Sequence, residues 1–384
     1  MIKNNILHVI KDDKFFDDLS TKYDNILELN NTYLLIVESK EYKFEYIKKT
    51  KKVKLCSNIK ELKTIFSNKI YNIVLFHSLP FIKMFHVFKY IRPNVKIIWW
   101  SWGYELYSSS YSLPAIIDIP LYKPLTEIVV NKMKGKGTFL YRLKYLIDFF
   151  CRKQIREKRI AKIISRIDYM IPVLECERQL VSNKFTNFHA KLLYHPVDCG
   201  NFSFAGLPTS NKILFGNSSS TTNNHLDIWK KINAKQIENH TFYLPVNYGS
   251  QLYKQILKDQ IKSEKNEIVF MENFMEKVKY FSILKSCSYA IFGVMRQQAM
   301  GNIYYCLENG IKIFLYKQSV PYLELKDNGY LIFTIEDDLN EQELNIPLSL
   351  DESLYNYQLM CKKKRKRMQY FSSFIKEIQS ENYI

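Results

Sequence analysis

The 384-residue sequence lacks the features that mark membrane-spanning, secreted and repetitive proteins. It has no run of about 18 apolar residues, so nothing in it predicts a transmembrane helix. Its start does not resemble a secretory signal, because the short apolar run at residues 6–10 is followed at once by Asp12 and Asp13. No internal repeat or low-complexity tract stands out. The sequence therefore predicts a globular chain, and its length favours two domains.

The seven cysteines do not form a recognisable redox or zinc motif. Their number is odd, they are scattered, and no two stand as Cys-x-x-Cys. This pattern predicts reduced thiols in a cytoplasmic protein. The seven histidines do not cluster with the cysteines, so no zinc site is expected.

Acidic residues are too few to balance the basic ones. The chain has 56 Lys and Arg against 38 Asp and Glu, which gives a net charge of +18. Such a charge favours an anionic partner: nucleic acid, nucleotide phosphates or an acidic lipid surface. The pairs Asp12-Asp13, Asp17-Asp18 and Asp337-Asp338 lack the apolar strand expected before a metal-holding acidic motif. We interpret these pairs as solvated turns or helix starts.

Apolar runs, in contrast, are plentiful, and they alternate with segments of helical spacing. Strands are predicted at residues 6–10, 33–38, 53–56, 72–77, 96–101, 168–173, 212–216, 241–246, 267–271, 289–294, 312–316 and 330–334. Helices are predicted at residues 59–66, 81–90, 225–232, 251–261, 275–286, 303–309, 340–343 and 354–378. This alternation predicts βαβ units and mostly parallel sheets. We expect domains at 1–197 and 198–350, followed by a C-terminal helical segment at 351–384.

Residues 132–166 are rich in Lys and Arg, with apolar residues spaced three and four apart on one helical stripe. Such a helix can lie in the headgroup zone with its cations on anionic lipids. The structural alternative is a surface helix whose apolar stripe packs on the sheet.

Two strand-loop-helix segments of the second half carry groups that can bind a diphosphate. In residues 292–303, Arg296 lies in the turn, Gly301 permits close approach of a ligand, and a helix N-terminus follows. Fixed donors and an arginine can stabilise a leaving diphosphate without a metal. Residues 214–225 place Gly216, Asn217 and Ser218 after a strand, and Asn223 or Asn224 can cap the next helix. Each segment has a structural alternative, an ordinary turn or a capped loop, and the second is not a Walker loop.

Two segments of the first half suggest groups that act on an acceptor. Residues 99–107 contain three Trp in four positions, followed by Glu105, which can act as a base or bind hydroxyl groups. The alternative is that these Trp pack in the core and Glu105 caps a helix. His77 follows another predicted strand and can accept a proton from an acceptor hydroxyl, although a lone histidine is more often structural.

Together these segments resemble a known family, the bacterial TDP-N-acetylfucosamine:lipid II N-acetylfucosaminyltransferases of glycosyltransferase family 56. The matching stretches are residues 102–107, 213–218, 337–341, Asn224-His225, and Arg296-Gln297-Gln298 with Gly301. The resemblance is firm over residues 212–341 and thinner in the first half. The chain departs from the family pattern at Glu105, where Asp is usual, at Ala299, where Gly is usual, and at residues 219–222.

The resemblance implies a fold, a donor and an acceptor. The fold is α/β of GT-B type, with two Rossmann-like domains whose parallel sheets face a central cleft and a final helix that crosses back to the N-terminal domain. The donor is a dTDP-sugar bound by the C-terminal domain without a metal, and the acceptor is an oligosaccharide linked to undecaprenyl diphosphate. The pathway is enterobacterial common antigen, O-antigen or capsule synthesis, on the cytoplasmic face of the inner membrane.

On this interpretation the donor site contains Arg296, Gln297, Gln298, Gly301, Asn302, Gly216, Asn217 and Ser218. Glu105 and His77 are the candidates for acceptor activation, and no nucleic-acid partner is expected. A basic nucleic-acid-binding protein without enzymatic activity is the main alternative, although no recognised binding module is present. An epimerase is disfavoured because no Gly-x-Gly-x-x-Gly follows the first strand.

Overall fold

The computed structural model describes residues 4–13, 15–26, 29–68, 71–79, 87–107, 116–133, 157–195, 204 and 206–381. Two compact units are present. Unit 1 consists of Met1–Asp118, Lys144–Cys199 and Arg365–Ile384, and unit 2 consists of Ile119–Leu143 and Gly200–Lys364. The sequence-based domains differ from this division mainly in residues 119–133, which belong to unit 2. Most of the predicted segment 132–166 and of the predicted helix 81–90 lies outside the described residues.

Each unit contains a parallel β-sheet, as the alternation of apolar runs predicts. The sheet of unit 1 has the order β3-β2-β1-β4-β5-β6-β7, and that of unit 2 has the order β10-β9-β8-β11-β12-β13. The first seven strands are β1 Asn4–Ile10, β2 Leu29–Ile36, β3 Val53–Cys56, β4 Ile73–His77, β5 Lys96–Trp100, β6 Tyr169–Ile171 and β7 Lys191–Leu192. The others are β8 Lys212–Phe215, β9 Thr241–Pro245, β10 Glu267–Met271, β11 Tyr289–Phe292, β12 Lys312–Leu315 and β13 Phe333–Thr334. The predicted α/β class with two Rossmann-like domains is thus confirmed.

Helices connect most of these strands. They are α1 Phe16–Asp24, α2 Ile59–Asn68, α3 Tyr104–Tyr107, α4 Pro124–Met133, α5 Glu175–Lys184, α6 His225–Ala234, α7 Gln251–Gln260, α8 Lys277–Lys285, α9 Met300–Glu308, α10 Val320–Asp327, α11 Glu341–Asn345 and α12 Leu350–Glu381. Residues 157–164 are also helical. The division between the units falls within α12, after Lys364. No helix of the described part of the chain is long and apolar enough to cross a membrane.

Buried apolar side chains on both faces hold these sheets in place, as is usual for parallel sheets. In unit 1, one face of β1 and β4 packs on Tyr23 of α1 and on Phe371, Phe374 and Ile375 of α12. In unit 2, the buried core gathers apolar residues from four strands and from α6 and α7, among them Phe215, Ile228 and Phe314. Strands such as β11, whose four residues are all buried, therefore appear in the sequence as continuous apolar runs.

The order of strands reverses once in each sheet. In unit 1 the chain builds outward from β1 to β3 and then returns to β4 on the other side of β1. In unit 2 it builds from β8 to β10 and returns to β11 on the other side of β8. Open α/β sheets bind their ligands beyond the carboxyl ends of the strands at such a switch point. The residues that follow β1, β4, β8 and β11 are therefore the natural places to look for a site.

Candidate functional site

The switch point of unit 2 brings both predicted donor-binding loops to one edge of the sheet. β8 and β11 are adjacent and parallel, with Phe215 opposite Ile291. Residues 216–224 leave the end of β8, and residues 293–299 leave the end of β11. Gly216, Asn217 and Ser218 therefore lie on the same edge as Arg296 and the residues that follow it. Sequence reasoning placed these two groups in one site, and the strand order explains how they meet.

Side-chain hydrogen bonds join the two loops. Gln298 donates from Nε2 to Oδ1 of Asn217 over 3.2 Å, and it accepts at Oε1 from the hydroxyl of Thr222. Asn217 donates in turn from Nδ2 to the hydroxyl oxygen of Tyr248 over 2.9 Å. Because both ends of the Gln298 amide are engaged, its orientation is defined before any ligand arrives. Tyr248 follows β9 and was not predicted as part of the site.

The loop after β8 is further held against the loop after β9. The backbone N–H of Ser219 donates to the carbonyl of Tyr248 over 2.9 Å, and that of Ser250 donates to the carbonyl of Ser219 over 3.2 Å. Asn223 donates to the carbonyl oxygen of Ser218 over 3.0 Å. Such a loop presents its hydroxyl and amide groups in fixed directions, which lowers the ordering cost of binding a polar ligand.

Gly293 allows the two loops to approach each other. A Cβ on Gly293 would lie 2.1 Å from the carbonyl oxygen of Asn223 and 2.5 Å from Cδ1 of Ile228. Gly301 has the opposite environment, because a Cβ there would meet no described atom within 4 Å. The missing side chain at Gly301 therefore leaves space beside the first turn of α9. The first glycine allows close packing, and the second leaves open space beside the helix.

The helix after β11 begins earlier than the sequence predicted. The prediction placed it at 303–309, but α9 starts at Met300, so Gly301 and Asn302 lie in its first turn. Its N-cap residue, Ala299, has a left-handed backbone with φ of +60° and provides no side-chain cap. A helix N-terminus of this kind offers backbone N–H groups and a positive dipole end to an anion. A glycine would adopt this left-handed conformation without the strain that Ala299 carries.

Arg296 lies in the loop just before this helix. Its Nη1 donates to the carbonyl oxygen of Gln297 over 2.8 Å, which holds the side chain along its own loop. Asn302 donates to the hydroxyl of Tyr280 over 2.8 Å. The edge therefore combines one guanidinium, one helix N-terminus and several neutral donors, a set suited to an anionic ligand.

Asn224 does not cap α6 as predicted. It occupies the N-cap position with φ of +50°, but its side chain makes no capping bond. Its Nδ2 donates instead to the carbonyls of Gly293 (2.7 Å) and Leu121 (3.1 Å), and its Oδ1 accepts from the N–H of Lys123 (2.8 Å). These bonds attach the segment before α4 to α6, which explains why residues 119–133 belong to unit 2.

The switch point of unit 1 contains His77, the last residue of β4. It is 5% exposed, and its Nε2 lies 3.0 Å from Nδ1 of His8 in β1. Burial, together with the neighbouring His8 and His195, holds the pKa of His77 well below its usual 6.5. The next residue, Ser78, has a left-handed backbone with φ of +70°, a strained conformation for a serine. His8 was not predicted as a functional residue, because its strand reads as an apolar run.

Glu105 occupies a different environment, in the short helix α3. Its Oε1 accepts from the backbone N–H of Trp102 (3.0 Å) and from the indole N–H of Trp99 (3.3 Å). Burial is the largest influence on the Glu105 carboxyl and raises its pKa, although these hydrogen bonds oppose the rise. The bond to Trp102, three residues earlier, ties the carboxylate to the backbone that leads into α3.

The tryptophans near Glu105 pack against other rings of unit 1. Trp99 is fully buried, and Trp100 stacks on His195 with ring centroids 4.3 Å apart. Trp102 packs against Phe15 with centroids 5.3 Å apart. The first two rings are therefore core residues rather than an exposed platform for a sugar.

The acidic pairs serve as structural anchors in the first half of the chain. The carboxylate of Asp12 accepts from the backbone N–H groups of Glu45, Tyr46 and Ile47, at 2.6 to 3.1 Å. Asp17 lies in the first turn of α1, as predicted for a helix start, and binds the loop at Lys48 and Lys49. Within the described ranges, no group of three or more His, Cys, Asp or Glu could hold a metal ion.

Comparison with protein families identifies the chain. The family model described as 4-alpha-L-fucosyltransferase, glycosyl transferase group 56, matches residues 137–371, more than half of the chain. The chain belongs to glycosyl transferase group 56. This confirms the resemblance seen in the sequence, and it makes the protein a glycosyltransferase. The matched residues include the loops after β8 and β11 in unit 2, whereas His77 and Glu105 come before the matched range.

Solved structures agree on the fold of this group 56 member. The Candida albicans trehalose-6-phosphate phosphatase N-terminal domain is 10% identical, with a TM-score of 0.58 over 99% of this chain and 97% of its own. An E. coli trehalose-6-phosphate structure bound with UDP-2-fluoro glucose is 11% identical, with a TM-score of 0.57 over 98% and 99% of the two chains. At these identities the likeness concerns the fold alone, and the predicted GT-B architecture is confirmed.

Proposed function

We propose that this group 56 glycosyltransferase moves a deoxy-amino sugar, of the N-acetylfucosamine type, from a dTDP-sugar to an oligosaccharide linked to polyprenyl diphosphate. The product would serve surface polysaccharide synthesis: enterobacterial common antigen, O-antigen or capsule. The observation that carries this proposal is the pair of pre-organised loops at the switch point of unit 2. The fucosyltransferase description of the family supports a deoxy sugar in the donor.

In this proposal Arg296 and the N-terminus of α9 hold the diphosphate of the donor. Gly301 leaves the space that the phosphate oxygens need beside the first helical turn. Asn217, Ser218 and Gln298 line the same edge with neutral hydrogen-bonding groups. Gly216, Gln297 and Asn302 complete the donor site. A guanidinium and a helix dipole together can supply the counter-charge for the leaving diphosphate, so we propose that no metal takes part.

We propose His77 rather than Glu105 as the base. Oε1 of Glu105 already accepts hydrogen bonds from Trp99 and Trp102, whereas His77 ends β4 at the switch point of unit 1 and, being neutral, keeps a lone pair on one ring nitrogen. The acceptor hydroxyl would transfer its proton to His77 while its oxygen forms a bond to C1 of the sugar. The bond from C1 to the diphosphate oxygen breaks, and the nucleoside diphosphate leaves with the electron pair.

The donor assignment is tested by thermal stabilisation of the protein with dTDP, UDP, GDP and CMP, first without metal and then with Mg²⁺. We expect dTDP to raise the Tm most, the Arg296→Ala variant to lose most of that rise, and Mg²⁺ to change neither. Lys230→Ala, which removes an exposed cation from α6, is the matched control and should respond as the wild type does. Equal responses of wild type and Arg296→Ala to dTDP would contradict the assignment.

The acceptor proposal places the protein on the cytoplasmic face of the inner membrane as a peripheral protein. Its motivation is the net charge of +18, which should attract the chain to anionic lipid. Flotation with phosphatidylglycerol vesicles and with purely zwitterionic vesicles tests it. Binding to the first that fades at high salt would support the proposal. Salt-dependent binding to DNA or RNA, without any response to nucleotides, would instead favour the nucleic-acid alternative.

A further inference from the structure

Four polar side chains of unit 1 form a continuous hydrogen-bonded row that ends at His77. Asn31 donates from Nδ2 to Oδ1 of Asp24 over 3.2 Å. Nε2 of His8 lies 2.9 Å from Oδ1 of Asn31, and Nδ1 of His8 lies 3.0 Å from Nε2 of His77. The residues come from α1, β2, β1 and β4, so only the folded sheet assembles them.

The carboxylate at the far end sets the direction of every bond in this row. An ionised carboxylate only accepts hydrogen bonds, so the NH₂ group of Asn31 must face Asp24 and its Oδ1 must face His8. Oδ1 only accepts, and therefore Nε2 of His8 carries a proton and donates it. A neutral His8 then has a lone pair on Nδ1, which accepts from Nε2–H of His77. The lone pair of a neutral His77 is consequently on Nδ1.

Asp24 is well suited to anchor the row, because it is held in its ionised form. Burial alone would raise its pKa, but hydrogen bonds from Lys52, Tyr33 and Asn31 and the charge of Lys52 outweigh this and lower it. The hydroxyl of Tyr33 donates to Oδ1 of Asp24 over 2.9 Å. The reversed orientation of Asn31 would set its Oδ1 against the carboxylate, which is electrostatically unfavourable.

Aromatic rings pack against the two histidines of the row. The ring of His8 lies 4.7 Å from those of both Tyr23 and Tyr33, and the ring of His77 lies 5.2 Å from that of Trp100. Burial lowers the pKa of His8 to about 4, in part against the hydrogen bond to Asn31 and the charge of Asp24. Both rings are therefore neutral near pH 7, which is the state that the bond directions require.

We propose that Asp24, Asn31 and His8 are positioning residues that lock His77 in the tautomer with its lone pair on Nδ1, ready to accept the proton of the acceptor hydroxyl. This inference rests on the proposed role of His77 as the base. When His77 takes up the proton, its Nε2–H still donates to His8, so the bonds stabilise the imidazolium without breaking. The amide of Asn31 does not relay protons, and Asp24 acts through orientation and charge alone.

The tautomers are tested directly by ¹⁵N NMR of the full chain with ¹⁵N-labelled histidine. The chain has seven histidines, and single His variants assign the signals of His8 and His77. We expect both rings to be protonated at Nε2 and unprotonated at Nδ1. In Asn31→Ala the His8 and His77 signals should shift toward a mixture of tautomers. Asn30→Ala, which removes an exposed amide from the adjacent position, is the control and should leave both signals unchanged.

The functional consequence is tested by steady-state kinetics on the same variants. Asn31→Ala and His8→Leu should lower kcat by roughly 10-fold, a part of what a general base contributes, with little change in KM. His8→Asn, whose side chain can still accept from His77, should recover part of this loss, and Asn30→Ala should match the wild type. Circular dichroism confirms that the variants are folded.

The NMR and kinetic measurements distinguish failure of the positioning role from failure of the proposal that His77 is the base. Protonation of His77 at Nδ1 in the wild type, or unchanged tautomers and kcat in Asn31→Ala, would overturn the positioning role. If the NMR result is as expected but His77→Ala retains full kcat, the row exists and His77 is not the base. In that case the proposed use of the row is overturned, while the donor assignment of Arg296 still stands on its own test.

Discussion

The two switch points have the same topology and opposite chemistry. In unit 2 the loops after β8 and β11 carry neutral amides and hydroxyls, one guanidinium and a helix N-terminus. In unit 1, β1 and the end of β4 carry two neutral histidines that pack against aromatic rings. The first arrangement suits the binding of an anion, and the second suits the acceptance of a proton. The same topology therefore carries different side chains at the two edges, and these decide what chemistry each edge can support.

The largest expected effect on activity is the loss of kcat in His77→Ala, which separates the role of unit 1 from that of unit 2. Loss of a general base should lower kcat by about 10²- to 10⁴-fold, while dTDP binding at unit 2 stays as in the wild type. Initial rates with a dTDP-sugar and a lipid-linked acceptor give the first quantity, and thermal shift with dTDP gives the second. Glu105→Gln is the paired variant and should keep most of kcat, because its amide oxygen can still accept from Trp99 and Trp102. A greater loss of kcat in Glu105→Gln than in His77→Ala would mean that Glu105, and not His77, is the base.

A pair of glycine variants tests the proposed donor site at the switch point of unit 2. Gly293→Ala should lower the free energy of unfolding by about 3 kcal/mol, since its Cβ would collide with backbone that cannot easily move. Gly301→Ala should instead preserve or raise stability by up to about 1 kcal/mol, because its Cβ enters open space on a helix. Its affinity for dTDP should nevertheless fall, because the methyl group occupies the position proposed for the phosphate. Urea unfolding and dTDP titration measure the two quantities, and tight dTDP binding by Gly301→Ala would argue against a phosphate site there.

Acid should destabilise both units through their buried histidines. Burial lowers the pKa of His8 to about 4 and that of His225 to about 3, in the latter case slightly offset by the carbonyl of Phe215. The unfolded chain, with histidine pKa values near 6.5, therefore binds more protons, and stability falls as the pH drops from about 6.5 toward these values. Tm measured across this range should decline. The decline should become shallower in His225→Leu, and an unchanged slope would mean that His225 does not contribute.

The smallest expected effect is a change in stability in Ala299→Gly, at the N-cap of α9. A left-handed backbone costs an alanine about 1 kcal/mol more than a glycine, so this variant should be more stable by up to that amount. Lys235→Gly, at the C-cap of α6 with φ of −93°, is a control in which glycine relieves no left-handed strain. Chemical unfolding compares the two. A loss of stability in Ala299→Gly would indicate that the left-handed conformation is not populated in solution.

Most strands of both sheets could be predicted because each is a short apolar run that both faces of a parallel sheet bury. β3 and β10 have the predicted limits, and several others differ by one or two residues. Sequence reasoning missed the two-residue strand β7, whose burial is only partial, and the helix α10, whose apolar periodicity is weak. It missed the helix α1 as well. It also placed the start of α9 too late, because Ala299 carries no sign of its left-handed conformation.

The sequence by itself determined the class of the protein and the polar groups of the loops after β8 and β11. Apolar runs specify strands locally, and motifs such as Arg296-Gln297-Gln298 keep their chemistry wherever the fold carries them. The partnership of His8 with His77, 69 positions apart, was decided by the tertiary structure alone. The same is true of the bond between Asn217 and Tyr248 and of the packing around Gly293. The physical reason is that hydrogen-bond direction and close contact depend on strand order and register, which bring together residues that no local pattern connects.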